Sequence, residues 1–320
     1  MQLPGREELL AAAQIVAAAL APTPQIRWPL LAERTAAEVW VKHENHGPVG
    51  AFKLRGGIIY MDTLARASKP PAGVIAATRG NHGQSIAYAA ARVGMRATIV
   101  VPRGNSREKN AAMRALGAQL IEHGRDFQDA LEFAQHQAAE RSLLMVPSFD
   151  RVLVCGVASY ALEFLGAVAD LDTVYVPIGL GSGICGTIAA REALRLRTRI
   201  VGVVAENAPA YALSFAAGRA ITTESADTIA DGVACRVPDA EALSIIGRWA
   251  ERIVTVSEAE IAAAMRHYFS DTHNIAEGAG AAPLAALLKE RAAMEGRRVG
   301  LVLSGGNVDR DLYARVLAES

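Results

Sequence analysis

Residues 48–57 read Pro-Val-Gly-Ala-Phe-Lys-Leu-Arg-Gly-Gly and set one lysine, Lys53, among small and apolar neighbours between an expected strand and an expected helix. Only a neutral amine attacks an aldehyde. An apolar, tightly packed setting disfavours the ammonium, so burial of Lys53 would draw its pKa toward the working range and suit it to Schiff-base chemistry. The chain has five lysines, at 42, 53, 69, 109 and 289. Lys69 and Lys109 lie among polar or loop-forming residues and Lys289 sits on a helix with charged neighbours, the usual surroundings of solvated lysines. Taken alone, Lys53 also reads as a snorkelling lysine, the commoner use of that side chain.

Two further segments add weight to the reactive reading. Thr78-Arg79-Gly80-Asn81-His82-Gly83-Gln84-Ser85 follows an apolar run and opens a helical pattern, and Leu303-Ser304-Gly305-Gly306-Asn307 repeats the form near the C-terminus. Between them, Pro177-Ile178 leads into Gly179-Leu180-Gly181-Ser182-Gly183 and another helix, an arrangement that offers backbone N–H groups and a helix N-terminus to a phosphate. The same loop could be a degenerate dinucleotide fingerprint, but the Gly-x-Gly-x-x-Gly spacing fails at Leu180 and Ile184. A lysine, a phosphate cradle and two polar turns point to a phosphorylated aldehyde cofactor.

The elements that must position these residues alternate. Strands are expected at Val39 to Lys42, Val74 to Ala77, Thr98 to Val101, Gln119 to Glu122, Thr173 to Val176, Ile200 to Ala205, Ile253 to Val256 and Val299 to Leu303. Helical patterns fall between them, at Asn81 to Val93, Arg107 to Leu116, Cys155 to Val168 and Ile184 to Leu196, with a capping box at Ser257-Glu258-Ala259-Glu260 opening another. Such alternation predicts an α/β protein with parallel sheets covered by helices on both faces. Breaks at Lys69-Pro70-Pro71-Ala72-Gly73 and at Pro147-Ser148-Phe149-Asp150 set off residues 73–150 as a small domain, inserted into a large domain built from 1–72 and 151–320.

Composition narrows the partners. The 320 residues are 51% hydrophobic with zero formal net charge, enough for a substantial core and no support for nucleic acid or an anionic membrane as partner. The apolar run Leu9 to Ala21 is short and follows acidic residues, so neither a signal peptide nor a membrane span is expected. Cys155, Cys185 and Cys235 are widely spaced in apolar or glycine-rich surroundings, unlike a disulfide framework or zinc site. A soluble, cytoplasmic protein is expected.

From Thr23-Pro24 through Lys42-His43-Glu44-Asn45, Gly50 to Gly56, Gly80 to Gln84, Gly179 to Ser182, Thr228 to Val233, Glu277-Gly278 and Ser304 to Asn307, the chain resembles the fold-type II pyridoxal-phosphate enzymes, in their serine/threonine dehydratase and serine racemase branch. The resemblance implies a tryptophan synthase β-like fold, two parallel-sheet αβα domains with pyridoxal 5'-phosphate in the cleft, and a homodimer. It implies that Lys53 binds the cofactor, that Phe52 packs beside it and that Asn81 donates to the ring hydroxylate. It further implies that Gly179, Leu180, Gly181, Ser182 and Gly183 hold the phosphate, and that Ser304 faces the pyridine nitrogen. Thr78, Arg79, Gly80, Asn81 and His82 would hold the substrate carboxylate at a helix N-terminus. Plain packing for Phe52, a turn role for Asn81 and a helix cap for Ser304 are the bland alternatives. The reaction implied is β-elimination of ammonia-lyase type on a β-hydroxy-α-amino acid such as L-threonine or L-serine, giving a 2-oxo acid and ammonia.

The sequence also departs from the pattern. Arg79 stands where racemases have a serine that acts as second acid/base, and a guanidinium is not readily deprotonated, which argues against a dedicated racemase. It could instead contact a substrate carboxylate, lie over an aromatic group, or simply point to solvent or to a surface acid. Ser148-Phe149 stand where an asparagine and a polar neighbour usually line the cofactor; Phe149 would either alter the pocket's shape or only pack under the loop, and with Arg79 it hints at 3-phenylserine or 3-hydroxyaspartate. Glu206 matches one ligand of a divalent-ion site, but Asn207 to Tyr211 supply no second carboxylate, so no metal is expected. Glu277 could assist near the cofactor or cap the next helix. The chain stops soon after the Ser304 motif, and no C-terminal regulatory domain is expected. A racemase or β-replacing synthase on this fold, a nicotinamide-dependent dehydrogenase and a non-catalytic binding protein are the rival readings.

Overall fold

The computed structural model describes residues 2–319. Ten strands form two sheets: β1 (Gln25–Arg27), β2 (Glu38–His43), β3 (Gly73–Ala77), β4 (Arg96–Val101), β5 (Gln119–Glu122), β6 (Leu144–Met145), β7 (Thr173–Pro177), β8 (Arg199–Ala205), β9 (Arg252–Val256) and β10 (Arg298–Leu303). One sheet runs β1-β2-β10-β7-β8-β9 and the other β5-β4-β3-β6. Every pairing is parallel except β1 on β2. Each expected strand is present. Strands β3 and β7 are buried at every residue, because helices cover both faces of their sheets, and their sequences therefore read as unbroken apolar runs.

The two unexpected strands lie at sheet edges. β1 exists through its register on β2, Gln25 opposite Lys42, and β6 pairs with β3 at only two positions. Three and two residues are too few to show a two-residue period in sequence, so only the neighbouring strand defines them.

The strand order places the loops that matter together. In the larger sheet β10 lies between β2 and β7, with the remaining strands running outward in both directions, which opens a crevice at the carboxyl ends of these strands. The chain leaves β2 toward Lys53, β10 into Ser304 and β7 into Gly179, and it leaves β3 of the second sheet into Thr78.

Helix Lys53–Ala65 joins the two halves. It packs between helix Asn81–Arg92, with Val49, Leu54, Ile58 and Met61 sharing a core with Val74, Ile86 and Ile99, and helix Arg151–Ala167. Glycines make both approaches close. A Cβ on Gly57 would lie 2.3 Å from Ser85 Oγ, and one on Gly156 would lie 2.3 Å from the Arg55 carbonyl oxygen and 2.8 Å from Gly56 Cα. Two backbones in contact at Gly156 cannot yield as a side chain can. Gly156→Ala is therefore expected to lose about 1–3 kcal/mol, outweighing the gain of about 1 kcal/mol in helix propensity, read as a lower urea midpoint at unchanged m.

The capping box forms as expected: the Glu260 N–H donates to Ser257 Oγ at 3.2 Å and the Ser257 N–H to Glu260 Oε2 at 2.7 Å. Among the described residues no helix is long and apolar enough to cross a membrane.

Candidate active site

A cavity of about 470 Å³ opens between the carboxyl ends of the two sheets. It is lined by Phe52, Lys53, Thr78, Arg79, Gly80, Asn81, His82, all five residues Gly179 to Gly183, and Ser304, so every site residue expected from the sequence meets in one place. The volume suits a small organic ligand.

Lys53 opens its helix and points into the cavity, where its Nζ donates to Ser182 Oγ at 3.1 Å and lies 5.5 Å from the centre of the Phe52 ring. No carboxylate among the described residues pairs with it. Burial therefore acts unopposed and brings its pKa down to about 8, leaving a sizeable neutral fraction near neutrality. The helix is fixed from both sides: Ser85 Oγ donates to the Lys53 carbonyl at 2.7 Å, and the Phe52 N–H donates to the Ser304 carbonyl at 3.0 Å.

The Gly179 to Gly183 turn runs straight into helix Ser182–Ala193. Gly181 adopts φ +100°, a conformation that favours glycine, and a Cβ on Gly179 would lie 2.2 Å from the Gly232 carbonyl oxygen. Tyr211 and Tyr160 secure the turn by donating to the Leu180 carbonyl at 3.1 Å and the Gly183 carbonyl at 3.0 Å. A phosphorylated aldehyde fits this lining: an amine poised for neutrality, a glycine turn at a helix N-terminus, the Ser182 hydroxyl, and a buried His82 Nε2 without a partner among the described residues. His82 is a neutral imidazole, since burial and then the Lys53 charge push its pKa down to about 3.

Asn81 is the first residue of helix Asn81–Arg92, and its side chain ties the surrounding loops together. Its Nδ2 donates to Glu277 Oε1 at 2.6 Å and its Oδ1 accepts from Asn307 Nδ2 at 2.8 Å; Asn307 also donates to the Val49 carbonyl at 2.8 Å. One amide N–H of Asn81 remains for a ligand. Ser304 does not cap the last helix, whose N-cap is Asp309. Glu277 occupies the N-cap position of helix Gly278–Lys289 but makes no side-chain cap, turning instead to Asn81 and to Lys109.

Lys109 is the residue that sequence reasoning misread. It is 7% exposed, lines the cavity and donates from Nζ to Asp231 Oδ2 at 3.0 Å, with Glu277 Oε2 at 3.8 Å. Its sequence neighbours are polar, but it is buried against Gly80 and paired with Asp231 and Glu277, none of them near it in the chain, and no local signal could have revealed it. Burial opposes its ammonium, and Glu277 and Asp231 outweigh burial, holding its pKa above the ordinary lysine value. Burial likewise raises the Glu277 carboxyl, with Lys109 and Asn81 offsetting part of the effect.

Phe149 is 9% exposed and packs with Val154, Val157 and Tyr160 in the core, while its neighbour Ser148 lines the cavity. Arg79 is exposed at the cavity and makes no ion pair or hydrogen bond among the described residues. Glu206 lies 3.3 Å from Lys289 Nζ. Cys235 lines the cavity with its thiol pushed up to about 12 by burial, and the three cysteines are free.

Residues 16–305 match the model of the family described as pyridoxal-phosphate dependent enzymes. The L-threonine ammonia-lyase of Thermotoga maritima is 34% identical over 289 residues, covering 90% of this chain and 72% of that one. Among solved structures, the processed form of threonine deaminase isoform 2 from Solanum lycopersicum superposes with a TM-score of 0.90 at 26% identity, covering 99% of this chain and 95% of that one. Maize serine racemase gives 0.91 at 25% identity, covering 99% and 98%.

Proposed function

This chain belongs to the pyridoxal-phosphate dependent enzyme family, in its serine/threonine dehydratase branch, and on that premise we propose an ammonia-lyase that removes water from a β-hydroxy-α-amino acid to give a 2-oxo acid and ammonia. Its cofactor is pyridoxal phosphate. The observation that carries the reading is the Lys53 amine, unpaired by any carboxylate among the described residues and 3.1 Å from the serine that starts the glycine-turn helix.

Bound, the cofactor supplies an electron sink that renders the substrate α-proton acidic. Lys53 would hold its aldehyde carbon, Gly179 to Gly183 would hold its phosphate at the helix N-terminus, Phe52 would flank it, and Asn81 and Ser304 would contact its ring. The Lys53 amine would take the substrate α-proton at Nζ, for which a pKa near 8 is well matched. The Thr78 N–H donates to the Val100 carbonyl and the Gly80 N–H to Thr78 Oγ1, so within this turn the N–H groups of Arg79, Asn81 and His82 are the ones left to hold the substrate carboxylate at the helix N-terminus, beside a neutral His82. With this reading go the cytoplasmic location and homodimeric assembly expected above.

The substrate's β-substituent is read from Arg79. Its guanidinium faces the cavity without an anionic partner among the described residues, and a carboxylate matches its paired donors. With Phe149 packed in the core, no aromatic wall specific to 3-phenylserine arises from that position. Of the two larger substrates, 3-hydroxyaspartate is therefore favoured. Arg79 also supports elimination over racemisation, since it offers no second base.

Assay of 2-oxo acid release across L-threonine, L-serine, 3-phenylserine and 3-hydroxyaspartate tests both levels. Arg79→Met is expected to cut kcat/KM for 3-hydroxyaspartate about 10- to 100-fold, the loss of one charge-assisted contact, and to leave threonine within about threefold. A clear preference for threonine or serine, unmoved by the substitution, would refute the finer assignment alone. No oxo acid from any of the four would refute the lyase.

A further inference from the structure

The first turn of helix Arg107–Ala115 follows β4 of the four-stranded sheet, yet its polar side chains reach residues that flank the other sheet. Ser106 Oγ hydrogen-bonds Asp309 Oδ1, Glu108 Oε1 accepts from the Arg310 N–H at 3.0 Å, and Lys109 reaches Asp231 at 3.0 Å and Glu277 at 3.8 Å. Ser106 and Glu108 sit near solvent, whereas Lys109 is buried and lines both the main cavity and a second one of about 240 Å³.

We propose that Lys109 is a positioning residue that fixes the Thr78 to His82 turn against the Asp231 and Glu277 wall. Its stem forms the back of the turn: a Cβ on Gly80 would lie 2.5 Å from Lys109 Cδ. Its ammonium anchors that stem in Asp231 and neighbours Glu277, and Glu277 accepts from Asn81 Nδ2 at 2.6 Å. The turn is thus held at two adjacent residues by one cation, at Gly80 by contact and at Asn81 through Glu277. The charged groups that face Lys109 are Glu277, Asp231 and Asp309, all carboxylates, so the lysine stays an ammonium and serves as an anchor, not as a base. Removing the ammonium leaves Glu277 buried without its cation and frees the turn to move.

The consequence for substrate rests on the reading of this turn as the carboxylate site; the anchoring itself does not. Lys109→Met keeps the length of the stem and removes the charge. Asp231→Asn, at a side chain 40% exposed, removes the anchor with little risk to folding. Hydrogen exchange on the cofactor-free protein is expected to show faster exchange of amides 80–86 in both variants than in the parent. In the holoenzyme KM is expected to rise about tenfold in Lys109→Met and less in Asp231→Asn, with kcat moved less than about threefold. The double variant is expected to be no worse than Lys109→Met alone, because both substitutions break one interaction. Unchanged exchange, or single effects that multiply in the double variant, would overturn the proposal. Faster exchange with unaltered KM would uphold the anchor and overturn the carboxylate reading of the turn.

Discussion

Lys53→Ala is expected to abolish the visible cofactor band and to lower 2-oxo acid release by at least about 10³-fold, because one substitution removes both the covalent anchor and the base. The reasoning starts from the environment. Lys53 faces the cavity with a hydroxyl as its hydrogen-bond partner and no anion among the described residues, so burial sets its basicity and brings the pKa down to about 8. Below that value the amine is mostly an ammonium and cannot attack; above it the neutral form dominates. Reloading of the cofactor-free wild-type protein with pyridoxal phosphate is therefore expected to quicken with rising pH and to level off above about 8, followed as growth of the visible band. Lys53→Arg serves as the sharper control. It keeps the positive charge and much of the volume, but a guanidinium stays protonated and forms no such bond, so it is expected to be as inactive as the alanine variant. Turnover within tenfold of wild type in either variant would remove Lys53 from the mechanism.

Lys53 was legible in the sequence because its requirements are local. A lysine that must be small-residue-packed at a helix start, a phosphate that must meet a glycine turn and a helix N-terminus, and a polar turn that must follow a strand all leave their marks on contiguous residues. Strands β3, β4, β7, β8 and β10 were legible for a similar reason, since burial of nearly every residue makes each an apolar run. Lys109 shows where such reading ends. Asp231 is 122 positions away in the chain, and nothing beside Lys109 tells that it is buried. The chain of bonds from Lys109 through Glu277, Asn81 and Asn307 to the Val49 carbonyl is likewise a product of topology. Phe149 shows the same limit from the other side. Its position in the chain, next to Ser148, suggested a cavity wall, but only the placement of helix Arg151–Ala167 decides which of the two neighbours faces the cavity.

Arg55, two residues after Lys53, carries the largest expected effect on stability. It is 2% exposed and donates to Glu44 at 2.7 and 2.9 Å, to Glu163 at 2.6 and 2.9 Å and to Ser159 Oγ at 3.0 Å, while Lys42, itself fully buried, donates to Glu163 at 2.6 Å. Burial alone would raise the Glu163 carboxyl, but hydrogen bonds and charge from Arg55, with help from Lys42, hold it below the usual carboxylate range. Removing Arg55 strands Glu44 in the interior, with the Thr23 hydroxyl at 2.5 Å as its remaining side-chain donor. Arg55→Met is thus expected to cost about 3–5 kcal/mol, the loss typical of breaking a buried ion pair from one side. The pH dependence separates this from a mere packing defect. With its pKa depressed in the folded state, Glu163 contributes stability that is present above its unfolded pKa of about 4.3 and is lost as pH falls through the lower folded value. In the variant Lys42 alone remains on Glu163 and most of that contribution is lost, so the deficit relative to wild type should shrink as the medium is made acidic. Urea unfolding of both proteins at neutral pH and at a series of pH values descending below about 4 measures this directly. A deficit below about 1 kcal/mol, or one that does not change with pH, would mean that the network does not hold the helix start, and the placement of Lys53 would then need the Ser85 and Ser304 contacts alone.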